Sequence, residues 1–126
     1  MASEKFEILL EKLLSKTQEK DIRWDETPNE SAFRIPLGDG LVRIEYGADF
    51  DNEEYYVAYL QNRKGRTLDQ IGPLYQGAAT RGLLFDLFRA ARVSALGVDD
   101  ILEGMVADLE ADKPQPLAQE DDDVPF

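Results

Sequence analysis

The sequence predicts an α+β fold, ordered as an N-terminal helix, a five-stranded antiparallel meander, two C-terminal helices and a disordered acidic tail. Three observations predict it. Apolar residues recur at helical spacing near the start, switch to a period of two through the middle, and return to helical spacing after Pro73. Turn residues punctuate the middle at short intervals, so consecutive strands are joined by hairpins and pair antiparallel. Beyond Glu110 the chain combines three prolines with a run of acids and offers little to bury.

Each element has its own signature. Phe6, Leu9, Leu10, Leu13 and Leu14 fall at i, i+3, i+4, i+7 and i+8, which defines an amphipathic helix over residues 3 to 18. Ser3 is the expected N-cap, and Glu4 suits the positive end of the helix dipole. Residues 22 to 26 form a short strand and Thr27-Pro28-Asn29-Glu30 a turn. Phe33, Ile35 and Leu37 then alternate against Arg34, and Gly38-Asp39-Gly40 turns the chain into Val42, Ile44 and Tyr46. An acidic loop over residues 47 to 54 precedes a fourth strand, residues 55 to 61. Asn62-Arg63-Lys64-Gly65 turns into a fifth, residues 66 to 71.

Pro73 is expected to open a helix with Leu84, Leu87, Phe88, Ala91 and Ala95 as its apolar stripe and Gly97 as its C-terminal cap. Asp99 is expected to cap a last helix carrying Ile101, Leu102, Met105, Val106 and Leu109. These two helices are the natural cover for one face of the sheet. The domain reading is therefore an α+β body over residues 1–110 and a flexible linker with an acidic docking tail over residues 111–126.

Composition narrows the chemistry. The 126 residues suit one domain with its own core. There is no cysteine and no histidine, so Ser-His and Cys-His catalysis and zinc sites built on thiolate or imidazole are excluded for the isolated chain. No cofactor or metal site is expected. The acidic loop with Asp49, Asp51, Glu53 and Glu54 lacks the spacing of a calcium loop. The N-terminus runs directly into the amphipathic segment and no run approaches 18 apolar residues, so neither a signal peptide nor a membrane span is expected and the cytoplasm is the expected compartment.

The net charge is −12. Residues 110–126 hold six acids and one lysine, a net of −5, which leaves −7 for residues 1–109. An acidic body disfavours direct binding to nucleic acid or to an anionic membrane. Within the body, Trp24, Arg34, Arg43, Arg63 and Lys64 are the candidates for contact with nucleic acid, since aromatics and arginines on one sheet face stack and clamp single strands. Core packing for the aromatics and a polar turn for Arg63 and Lys64 are the plainer readings.

The most informative stretch is Asp121-Asp122-Asp123-Val124-Pro125-Phe126. These six residues resemble the C-terminal tip of the bacterial single-stranded-DNA-binding protein, differing by an aliphatic choice at Val124. In that family the tip recruits other proteins. The resemblance implies that this chain docks on DNA replication or repair proteins offering an apolar pocket with a basic rim. As the last residue, Phe126 would bring a ring and an α-carboxylate to the same pocket. Pro125 lowers the entropy lost when the peptide orders, and the three aspartates raise the encounter rate with a basic groove.

The stretch Arg92 to Leu102 and the element order also resemble small bacterial proteins of no assigned activity. The expected function is a non-enzymatic adaptor or regulator in DNA replication, repair or recombination, and homodimerisation would present two tails. The alternatives are an atypical single-stranded-DNA-binding protein and a small acidic chaperone.

Overall fold

The computed structural model describes residues 4–73 and 77–111. In α1 (Glu4–Gln18), Phe6, Leu10, Leu13 and Thr17 are buried on one stripe, and Leu9 and Leu14 pack at its half-buried margin. The helix ends where Lys20 takes a φ of 65°. There Asp21 N–H donates to the Lys16 carbonyl and Lys20 N–H to the Thr17 carbonyl, each at 3.0 Å, the paired bonds that satisfy the last carbonyls of a helix. Ser3, the expected N-cap, lies outside the described residues.

Five strands follow: β1 (Asp25–Glu26), β2 (Ala32–Leu37), β3 (Gly40–Ala48), β4 (Glu54–Asn62) and β5 (Thr67–Ile71). They pair in chain order and antiparallel throughout, so the meander is as predicted. Gly38 takes the positive φ, 56°, that a two-residue hairpin needs at its first position. At the tip between β4 and β5, the Asn62 side-chain oxygen accepts from Lys64 N–H and Arg66 N–H. In the acidic loop, one Asp49 oxygen accepts from Asp51 N–H and Glu53 N–H. That carboxylate is engaged in closing its own turn.

The register sorts the side chains onto two faces. Phe33 and Ile35 face Ile44 and Val42 across β2 and β3, and Ile44 in turn faces Ala58 of β4, which faces Ile71 of β5. This face is buried. Helix α2 (Ala78–Leu96) lies across β1 to β4, and α1 packs against α2. Leu84, Leu87 and Ala91 of α2 complete the core with Phe6, Leu10, Leu13 and Trp24. Fully burying each of the larger side chains contributes about 1.5–3 kcal/mol. The apolar stripe read for α2 is the face it buries, although the helix begins at Ala78, and Pro73, the expected first residue, lies outside it.

The described residues fall into two compact units that divide between Leu96 and Gly97. Gly97 takes a φ of 65° and a ψ of 34°, the left-handed conformation that favours glycine, and it stands at the N-cap of α3 (Val98–Glu110). Asp99, the expected cap, instead lies in the first turn with Asp100, where its charge suits the helix dipole. None of the residues of α3 is buried. Among the described residues, no helix is long and apolar enough to cross a membrane.

Candidate functional site

The six residues Asp121 to Phe126 and residues 112–120 before them lie outside the described residues. The structure places the body's candidates, and it separates them.

Trp24 takes the plainer of its two readings, core packing, and drops out as a nucleic-acid candidate. It is 1% exposed, and its indole N–H donates to Thr17 Oγ1 at 2.8 Å, while Thr17 Oγ1 donates to the Leu13 carbonyl at 2.6 Å. Its backbone N–H donates to Ser94 Oγ at 2.9 Å. Trp24 thus ties α1 and α2 to the chain entering β1, and its ring is not available to stack a base. The physical reason is that a large aromatic beside two helices buries more apolar area inside than it would on an open sheet.

The arginines take the other face of the sheet. The register sets Asp25 opposite Arg34, Arg34 opposite Arg43, Arg43 opposite Tyr59 and Tyr59 opposite Gln70. One row therefore crosses all five strands on the face turned away from the core. Arg34 is exposed. Arg43 donates through Nε to Glu45 Oε1 at 3.2 Å, and both side chains keep 27% of their surface open. Burial first, and then the charge of Glu45, push the Tyr59 hydroxyl above the ordinary tyrosine range. Tyr55 belongs to the same face and lies over Gly47, where an added Cβ would come within 2.6 Å of its ring.

At one end of this row a shallow groove of about 390 Å³ is lined by Asp25, Arg34, Pro36, Gly38, Gly40, Leu41 and Arg63. Arg63 reaches it from the β4–β5 tip, donating through Nη2 to the Gly38 carbonyl at 2.9 Å and standing 3.8 Å from Asp39. Lys64 is exposed at the tip. The structure thus gathers Arg34, Arg43 and Arg63 around one face and leaves Trp24 out. Chemically, the face offers guanidinium groups for an anionic backbone and tyrosine rings for stacking, tempered by Asp25, Asp39 and Glu45.

A second cluster was not singled out by sequence reasoning. Tyr46 and Tyr56, opposite each other on β3 and β4, meet Phe88 of α2 with ring centroids 5.9 and 5.5 Å away, and Phe85 meets Tyr56 edge-on at 5.5 Å. The Arg89 guanidinium lies over the Phe85 ring at 5.5 Å. Glu54 raises the Tyr46 hydroxyl above its ordinary range by its charge, with burial and a hydrogen bond to Glu54 adding to it. The signal in the sequence was the spacing of three between Phe85 and Phe88. Only the register brings the two tyrosines to it.

The boundary between the units also redistributes charge. Residues 1–96 hold 16 acidic and 13 basic side chains, a net of −3, which leaves −9 of the total −12 for residues 97–126. The unit that contains the sheet is less acidic than a boundary after residue 109 suggested. No family model, curated protein or solved structure matches this chain.

Proposed function

We propose that this chain is a non-enzymatic adaptor or regulator in DNA replication, repair or recombination, acting in the cytoplasm, which docks through Asp121 to Phe126 on proteins that accept the tip of the single-stranded-DNA-binding protein. The observation that carries the reading is the residue string itself: three aspartates, an aliphatic residue, proline and phenylalanine. The concentration of −9 in residues 97–126 supports it, because a partner with a basic-rimmed pocket attracts that region selectively. The proposal includes a free carboxylate at Phe126. Ring and carboxylate then enter one pocket together, and micromolar affinity corresponds to about −8 kcal/mol.

The test measures binding of the full chain to a purified bacterial protein that accepts this tip. Deleting Phe126, or adding a residue after it, should weaken binding by roughly tenfold or more. Equal affinity for the deleted, extended and unaltered chains would remove the reading.

A second reading is favoured by the row Asp25, Arg34, Arg43, Tyr59 and Gln70 on the open sheet face. Under it, the body itself holds a short stretch of single-stranded nucleic acid. Stacking contributes about 1–3 kcal/mol per base, and a net of −3 opposes it less than −7 would. The two readings separate in one titration, since Arg34→Ala should weaken single-strand binding and leave tail docking unchanged.

A further inference from the structure

Helix α3 bears the longest series of open apolar side chains among the described residues. Ile101, Leu102, Met105, Val106 and Leu109 are each more than half exposed, Leu109 by 77%. Their spacing places them on one stripe of the helix. Around that stripe, the helical period sets Asp99, Glu103 and Glu110 along one flank and Asp108 along the other, with Asp100 behind. The helix contains no lysine or arginine. A helix of 13 residues is marginal in water without a packed face, so the stripe has reason to be covered.

The charge pattern selects the cover. A second copy of α3 would bring acidic flanks against acidic flanks, and like charges along a helix pair are unfavourable. An anionic lipid surface is repelled in the same way. An apolar surface edged by lysine or arginine matches both the stripe and its flanks. We propose that α3 docks as an amphipathic helix into an apolar groove of a partner protein whose rim is basic. This contact is made by residues 98–110 and is separate from docking by Asp121 to Phe126.

The probe is a synthetic amphipathic peptide of leucine and lysine, matched to α3 in length and labelled for fluorescence anisotropy, with a leucine and glutamate peptide of the same pattern as its counterpart. Both are titrated with the full chain carrying Asp121→Asn, Asp122→Asn and Asp123→Asn, which removes three of the negative charges of the tail. The lysine peptide should bind saturably and more weakly as salt rises, and the glutamate peptide should not bind. Met105→Asp combined with Leu109→Asp adds two negative charges, so association driven by charge alone would tighten. Docking by the stripe instead weakens by roughly tenfold or more.

Met105→Gln with Leu109→Gln repeats the test without added charge, and circular dichroism checks that the helix persists in both variants. The proposal is overturned by absent binding of the lysine peptide, by equal binding of the glutamate peptide, or by variants that bind as well as the parent. A concentration-dependent dimer in sedimentation, dissolved by Met105→Asp, would give the stripe to a second copy and overturn it too. The peptide arms lack the three aspartates of the docking tip, so failure here leaves the tail reading intact, and failure of the tail leaves this contact standing.

Discussion

Replacing Thr17 with valine should destabilise the body although it keeps the shape of the side chain. Thr17 is 6% exposed, and its hydroxyl accepts the indole N–H of Trp24, itself 1% exposed, at 2.8 Å. Valine fills the same space and leaves that N–H buried without an acceptor. An orphaned buried donor costs about 1–3 kcal/mol. The other bond of the hydroxyl, to the Leu13 carbonyl, adds little, because that carbonyl is also served within the helix and such back-bonding is close to neutral. The expected loss is therefore about 1–3 kcal/mol, a fall in melting temperature of roughly 5–15 °C for a domain of this size.

The assay is urea unfolding followed by circular dichroism, with the emission of the single tryptophan as a second probe wherever Trp24 is kept. A double-mutant cycle with Trp24→Phe isolates the bond. In the phenylalanine background Thr17→Val should cost little, giving a coupling of about 1 kcal/mol or more. Equal costs in both backgrounds, or a loss below about 0.5 kcal/mol in the parent, would refute the claim that this bond organises the junction of α1, α2 and β1.

Other expectations follow from the same geometry. Gly82 and Gly104 are helical with open space where a Cβ would stand, so either changed to alanine should gain about 0.5–1 kcal/mol of helix stability by thermal unfolding; a loss would mean the space is not open. Gly97→Ala should cost about 1–2 kcal/mol because φ is 65° there, and an unchanged melting curve would count against the left-handed junction. Tyr46 is raised by the charge of Glu54, and Tyr56 and Tyr59 chiefly by burial, whereas an unfolded tyrosine ionises near 10. Their contribution to stability is thus whole below about pH 10 and is lost as pH climbs through the raised folded values. Glu54→Gln should lower the Tyr46 midpoint in a phenolate absorbance titration, and an unmoved midpoint would remove Glu54 as the cause. Arg34→Ala should weaken any single-strand binding by the truncated body, residues 1–110, and indifference to it would set aside the open face.

What the sequence made legible was whatever depends on local period and turn chemistry. The stripe of α1, the order of five strands and the Gly38-Asp39 hairpin follow from spacing and from a glycine's freedom at positive φ. What holds Trp24 in the core was not legible, because it depends on Thr17 and Ser94, residues on two helices that only folding brings together. Asp99 looked like a cap because aspartate caps helices well, but Gly97 takes the left-handed turn and the helix begins a residue after it. Periodicity showed that Ile101 to Leu109 form an apolar stripe; it has no means of showing whether anything covers one. The row from Asp25 to Gln70 needed the register, since a slip of one residue would have sent Arg34 and Arg43 to the core face.

The central claim is that Asp121 to Phe126 occupies the pocket made for the tip of the single-stranded-DNA-binding protein. Its most direct measurement is competition: the full chain, labelled away from residue 126, is bound to a purified protein that accepts that tip and titrated with the synthetic tip peptide. The account predicts complete displacement, with an inhibition midpoint that scales with the concentration of the chain as a shared pocket requires. A chain that stays bound at saturating peptide contradicts it.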